Sequence, residues 1–227
     1  MRALRTAWLI ALICASAPPS ASAQDAAGGP ELPAAIPLFP LPDVTLFPNI
    51  TQPFHIFEPR YRSMVEDALA GDSIIGMVML QPGFEAEYEG RPPVHAVGCA
   101  GVIVESERLP DGRYNIVVRG LTKFRIRGED QSRLYRLADV ESIPETIDPG
   151  ERDLLGRRRR QLEEAMRSAR LGSQLPPAGV PDEQVIDGLS LFLPFAPEQR
   201  QRLLETDGVL ERALMLVGLI GGQRQAQ

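Results

Sequence analysis

The pattern of hydrophobic and polar positions divides the chain into an extended, turn-rich first part and a helical second part. Apolar residues at 36–48 are interrupted by prolines. Because proline cannot donate to a sheet ladder, we expect short edge strands and turns there. A second extended segment covers 52–57, and the unbroken apolar run 74–80 has the length of a strand that is buried on both faces.

One helix is predicted among these strands. It begins at Pro59, because the missing N–H of proline costs nothing in the first helical turn, and it ends at Gly71. Its apolar stripe consists of Tyr61, Met64, Val65, Ala68 and Leu69.

A hairpin is predicted around Asp111-Gly112. This dipeptide lies between two alternating runs, 102–105 and 114–119, and it is a strong short-range hairpin signal. We expect Gly120 to break the second run, so that residues 124–126 belong to a further strand. The last predicted strand covers 134–140.

Helical spacing dominates from Glu151 onwards. In the segment 151–170, Arg159 and Arg160 precede two glutamates at i, i+4. A solvated helix with ion pairs therefore explains the arginine run better than a nucleic-acid or membrane patch. A hinge at 176–181 precedes a helix with Val185, Ile186, Leu189 and Phe192, and a short helix runs from Pro197 to about Leu204.

The last predicted helix is capped by Asp207. Its apolar face is predicted to be Leu210, Ala213, Leu214, Val217 and Gly218. Its far end is apolar all round, with Leu216 and Leu219 among the residues, whereas a surface helix keeps one polar face. We therefore expect a partner to cover it, most simply a second copy in a homodimer, with burial inside the helical bundle as the alternative.

The N-terminus has the pattern of a secretory signal peptide. Arg2 and Arg5 precede a short apolar run at 7–15, and Ala21-Ser22-Ala23 supplies a small-residue cleavage pattern before Gln24. The run is too short to span a bilayer, which needs about 20 apolar residues. The alternatives are an N-terminal helix, a transit peptide, which would be Arg-rich and amphipathic, or a lipoprotein signal, for which the residue before the candidate cysteine is too bulky.

We therefore expect a periplasmic or secreted protein with four segments: signal peptide 1–23, flexible leader 24–35, β-rich part 36–147 and helical part 148–227. Cleavage would leave Cys99 as the sole cysteine, so stability must come from the hydrophobic core rather than a disulfide. A formal charge of −6 argues against nucleic acid as a partner, because phosphate binding depends on Lys and Arg.

Several motifs in order resemble the LON substrate-binding domain family, especially short bacterial proteins made of that domain alone. They are LFPLPDV at 38–44 with Phe47-Pro48, IFEPRY at 56–61, LPDG at 109–112 and KFRI at 123–126. The resemblance extends through the helical part, from about residue 36 to 220. It implies an α+β fold, a PUA-like, partly open β-barrel with one helix, followed by a small helical bundle.

The resemblance implies a polypeptide-binding module that is not an enzyme and needs no cofactor. The chain has no Gly-x-x-x-x-Gly-Lys-Ser/Thr loop for ATP, and Lys123 is its only lysine, so a serine–lysine dyad has no visible support. The rivals are an ATP-independent peptidase, which would need Cys99 or Lys123, and a structural protein that self-associates.

Other chemistry has ordinary explanations. His55, His95 and Cys99 suggest a metal site or a cysteine–histidine pair, but the loop at 93–98 does not make their spacing converge, and we expect no metal. Glu58 precedes a helix N-terminus, where negative charge is favourable. Glu66 and Asp67 fall on the solvent side of the same helix.

The strongest functional candidates are aromatic. Phe47, Phe54, Phe57 and Tyr61 crowd around proline-interrupted strand edges, an arrangement that suits capture of an unfolded or extended polypeptide. The alternative is that these rings fill the barrel.

Overall fold

The structure is a computed structural model that describes residues 31–169 and 179–223. The predicted signal peptide and the leader up to residue 30 lie outside the described residues. The strands are β1 Ala35–Leu41, β2 Thr51–Ile56, β3 Ile74–Met79, β4 Val97–Arg108, β5 Tyr114–Asp130 and β6 Arg136–Ile143. The helices are α1 Pro59–Ala70, α2 Arg152–Ser168, α3 Asp182–Phe192, α4 Pro197–Glu205 and α5 Val209–Gln223.

The strands form a mixed sheet in the order β2-β5-β4-β3-β1-β6, in which only β1 and β3 are parallel. The long strand β5 pairs with β2 through residues 114–119 and with β6 through residues 123–130. The sheet therefore curls back onto β5. Backbone hydrogen bonds from residues 49–50 continue the pairing to Gly120, and a gap remains beside residues 121–122. This partly open barrel, followed by helices, confirms the α+β prediction.

The expectation that the proline-rich segment 36–48 contributes only edge strands is wrong for β1. This strand lies between β3 and β6. It changes neighbour at Leu38, pairing with β6 over residues 35–38 and with β3 over residues 38–41. Pro37 pairs only with β6 and Pro40 only with β3. Because each proline faces one partner strand, its missing N–H removes few of the backbone hydrogen bonds of β1. Proline-containing β2 does lie at the sheet edge.

Gly120 does not break β5, contrary to expectation, because β5 continues to Asp130. A register shift opposite Ala100/Gly101 leaves Leu121 as the extra residue of a bulge. A Cβ at Gly120 would lie 2.0 Å from the Phe47 carbonyl oxygen. Glycine is therefore present because another segment crosses the strand here.

Helix α1 confirms its prediction: Pro59 begins it, Gly71 follows its last residue, and Tyr61, Met64, Val65 and Ala68 are buried. The predicted hairpin is also present, and Gly112 has the positive φ of +83° that its turn requires. In α3, Phe192 is 69% exposed rather than buried with its neighbours.

The buried face of α5 differs from the predicted one. It consists of Val209, Arg212, Ala213, Leu216 and Ile220, whereas Leu214 is 46% exposed. The helix packs mainly on α2 and α3, so the chain itself covers Leu216. Self-association stays a prediction. None of the helices described in 31–169 and 179–223 combines the length and apolarity needed to cross a bilayer.

Candidate functional site: the outer face of a three-stranded extension

Beyond the barrel, β2, the first part of β5 and the last part of β4 form a three-stranded extension. Its inner side contributes Tyr114, Ile116 and Val118 to the main core, which also contains the buried stripe of α1. The Tyr114 hydroxyl donates to Glu66 of α1 over 3.1 Å. The opposite side, which we call the outer face, carries Thr51, Pro53, His55, Glu105, Glu107, Asn115, Val117 and Arg119.

A groove of about 490 Å³ lies on this extension, and its walls come from all three strands. Paired positions form two rows across it, Pro53–Val117–Glu105 and His55–Asn115–Glu107. The second row is hydrogen-bonded: Asn115 Oδ1 lies 2.8 Å from His55 Nδ1, and Asn115 Nδ2 donates to Glu107 over 2.9 Å. The first row leaves an apolar floor at Val117 and Pro53.

The four aromatic residues assigned to polypeptide contact occupy different environments. Phe57 is 61% exposed and stacks on His55 with 6.3 Å between ring centroids. Phe54 is half-buried; it borders the groove but pairs with Ile116, and its ring packs edge-on against Phe39 on the inner side, with 6.0 Å between ring centroids. Phe47 and Tyr61 lie in the core, where Tyr61 packs edge-on against Phe39 at 4.7 Å. The contact role of these residues stays a prediction. Of the four rings, that of Phe57 is the one exposed beside the outer face.

The Glu58-Pro59-Arg60-Tyr61 motif holds the loop at residues 88–90 against the start of α1. Glu58 accepts hydrogen bonds from Arg60 Nε and from the Tyr88 hydroxyl, each over 2.9 Å. The Arg60 guanidinium lies 4.6 Å from the centroid of the Tyr61 ring and 4.9 Å from that of the Tyr88 ring. It also donates to the carbonyl oxygens of residues 88–90. The motif thus fastens this loop to the start of α1.

Sequence reasoning missed a buried cluster of charged residues between the sheet and the helices. Arg212 is fully buried and donates to Asp187, to Glu145 over 2.5 Å and to the Leu203 carbonyl over 3.1 Å. Lys123, only 2% exposed, lies 2.8 Å from Glu145. No local signal marks it, since Asp187 does not occupy one of the predicted apolar positions of α3 and an arginine in a helix is ordinarily a surface residue.

Burial raises the pKa of the Asp187 carboxyl to about 6, although the adjacent Arg212 guanidinium opposes the shift. Asn49 Nδ2 also donates to Asp187 over 3.2 Å. A pocket of about 570 Å³ with a mixed polar and apolar lining adjoins the cluster at the gap in the barrel. Because the buried charges pair with one another, the cluster joins the two parts of the fold rather than offering a free group to a ligand.

The candidate nucleophile is inaccessible. Cys99 is a free, fully buried cysteine, and burial raises the pKa of its thiol. The histidines have separate partners: His95 Nδ1 lies 3.2 Å from Glu205, whereas His55 contacts Asn115. Within the described part of the chain, no three His, Cys, Asp or Glu side chains are grouped so that they could hold a metal ion.

The model of the ATP-dependent protease La (LON) substrate-binding domain matches residues 35–221, nearly the whole described chain. The chain belongs to this family. The family is described as a substrate-binding domain and not as a catalytic one.

Members of the LON family among curated proteins include Lon protease of Dictyoglomus thermophilum, 28% identical over 194 residues, which are 80% of this chain and 24% of the relative. Lon protease of Trichlorobacter lovleyi is 31% identical over 148 residues, 64% of this chain and 18% of the relative. The chain thus spans about a quarter or less of these relatives.

Two solved LON-family structures share the fold. The N-terminal domain of Mycobacterium avium complex Lon protease has a TM-score of 0.61 at 18% identity, covering 82% of this chain and 98% of that domain. A Lon N-terminal domain protein from Xanthomonas campestris has a TM-score of 0.58 at 24% identity, covering 81% and 97%. Each structural alignment covers more than four fifths of this chain and therefore includes both the sheet and helices.

Proposed function

We propose that this protein is a non-catalytic module that binds unfolded or extended polypeptide outside the cytoplasm. Membership of the LON substrate-binding domain family carries the proposal, because the substrate of a protease is a polypeptide. No cofactor is required. Fold alone does not establish function, so the contact surface has to be argued from the site.

The outer face is the proposed contact surface. It joins an apolar floor at Val117 and Pro53 to an exposed aromatic ring, Phe57. Aromatic rings beside exposed strands suit an extended chain, because such a chain contacts a surface through alternate side chains.

Fluorescence anisotropy tests the binding. Labelled α-lactalbumin, reduced and carboxymethylated so that it stays unfolded, is titrated with residues 24–227, and native α-lactalbumin serves as the comparison. We expect binding of the unfolded form only. Phe57→Ala should weaken it, whereas Phe192→Ala, which removes an equally exposed ring from α3, should not. Equal losses in both variants would contradict the assignment of the outer face.

Export is supported by the order of Arg2, Arg5, the apolar run and Ala21-Ser22-Ala23. N-terminal sequencing of the protein from the cell envelope should give a chain that begins at Gln24. A chain in the cytosol that retains Met1 would contradict export.

Absence of catalysis is tested with casein, with and without ATP. We expect no cleavage, since burial removes Cys99 from contact with a substrate. Cleavage that disappears in Cys99→Ala or Lys123→Ala would replace the binding module with a peptidase.

A further inference from the structure

We propose that the groove on the outer face selects extended segments in which two basic residues are separated by one residue. This inference rests on the proposed function and names the class of polypeptide that the site prefers. It follows from the spacing and charge of the two rows across the groove.

The two rows match the repeat of an extended chain. Each ends in a glutamate on β4, Glu105 in one row and Glu107 in the next. These residues are two positions apart on one strand, which places their Cα atoms about 6.8 Å apart. Alternate side chains of an extended segment have the same separation, so residues i and i+2 of a bound peptide meet successive rows.

The charges in the rows favour cations. Among the ion pairs of the described residues, none involves Glu105 or Glu107. Within the described segments, the side-chain hydrogen bond of Glu107 comes from the neutral amide of Asn115. The nearby Arg113 is bound to Asp111 over 2.7 Å and to His55 over 3.1 Å, and Arg108 pairs with Glu66. Arg119, on the outer face beyond the first row, forms no ion pair with either glutamate.

The apolar floor suits the stem of a long basic side chain. An arginine or lysine that lies over Val117 and Pro53 can bury its methylene groups there while its charged end reaches Glu105. The next basic residue meets Asn115 and Glu107. A segment with acidic residues at the same positions would place like charges together, so the site discriminates by charge as well as by shape.

The test uses three labelled peptides of equal length in fluorescence anisotropy at low and high salt. One alternates arginine with threonine, one alternates glutamate with threonine, and one has the composition of the first but repeats Arg-Arg-Thr-Thr, so that no two of its arginines are separated by a single residue. We expect the alternating arginine peptide to bind most tightly and to lose affinity in high salt. Equal affinity for the arginine and glutamate peptides would overturn the proposal, and so would equal affinity for the alternating and the Arg-Arg-Thr-Thr arrangements.

The matched variants are Glu105→Gln with Glu107→Gln, and Glu164→Gln with Glu198→Gln, which changes the net charge equally at exposed glutamates of α2 and α4. The first pair should weaken binding of the alternating arginine peptide on the order of tenfold, and the second should not. Val117→Thr, which keeps the shape and removes an apolar contact, should weaken it as well.

Binding of unfolded α-lactalbumin distinguishes a failure of this inference from a failure of the proposed function. If it binds to the protein and the alternating arginine peptide does not, the inference fails and the proposed function stands. If neither binds, both fail. If the arginine peptide binds and depends on Glu105 and Glu107 while unfolded α-lactalbumin does not bind, the groove is a site for basic segments and the broader function is wrong.

Discussion

Replacing Arg212 with methionine should destabilise the protein more than any change on its surface. The side chain is fully buried and compensates two carboxylates, Asp187 and Glu145. Its removal leaves Asp187 buried without its cation, where the carboxyl either stays charged or takes up a proton, and breaking a buried pair in this way costs about 3–5 kcal/mol. For a domain of this size each kcal/mol lowers Tm by about 2–4 °C, so we expect a loss on the order of 6–20 °C.

Thermal unfolding followed by circular dichroism measures this loss. Arg158→Met is the matched control. Arg158 lies on α2 and donates an exposed hydrogen bond to Gln161, so its loss should change stability by no more than ~0.5 kcal/mol. Adding Asp187→Asn to Arg212→Met should recover part of the stability, since it removes the uncompensated carboxylate. A double variant that is less stable than Arg212→Met would refute the reasoning.

The pH dependence gives a second check. A carboxyl whose pKa is higher in the folded than in the unfolded state binds protons on folding, so its contribution to stability is present at low pH and is lost as pH rises through the folded pKa. The pKa of Asp187 is already raised to about 6, and loss of Arg212, which lowers it, raises it further. The deficit of Arg212→Met relative to the wild type should therefore shrink between pH 7 and pH 5. A deficit that grows over this interval would contradict the argument.

Three further predictions follow from single residues. Gly112→Val should destabilise the hairpin by ~1–3 kcal/mol because φ is +83° there, whereas Arg158→Ala should be nearly neutral; equal melting temperatures would contradict this. Cys99 should react with a thiol reagent only after denaturant is added, and rapid labelling of the native protein would show that it is accessible. Leu216→Glu should unfold the protein, while Leu214→Glu should leave it folded and reduce any self-association seen by light scattering; a dimer that survives Leu214→Glu would place its contacts elsewhere.

The candidate site was only partly accessible to sequence reasoning. The pattern identified aromatic residues near strand edges. It does not distinguish a buried aromatic ring from an exposed one, because the same residue types occur in cores and on surfaces. Phe47 is buried because its segment crosses β5 at Gly120, and Phe57 is exposed because it follows the last paired residue of an edge strand. The glutamates of the groove were not singled out, because their alignment with Val117 and Pro53 depends on the pairing of three strands.

The sequence by itself determined the elements whose signals are local. Helix α1 follows from Pro59, an apolar stripe and Gly71, and the hairpin follows from Asp111-Gly112 between alternating runs. In each case the physical cause, a backbone preference or a side-chain period, acts within about a dozen residues.

Only the tertiary structure decided which surfaces meet. It placed β1 inside the sheet, carried β5 past Gly120 and turned α5 so that Arg212 and Leu216 are buried. These outcomes depend on partners far away in the chain. Arg212 is buried because Asp187 and Glu145 compensate its charge, and these partners lie 25 and 67 positions away. An arginine in a helix is ordinarily a surface residue, and only the folded arrangement of its partners makes the buried position favourable.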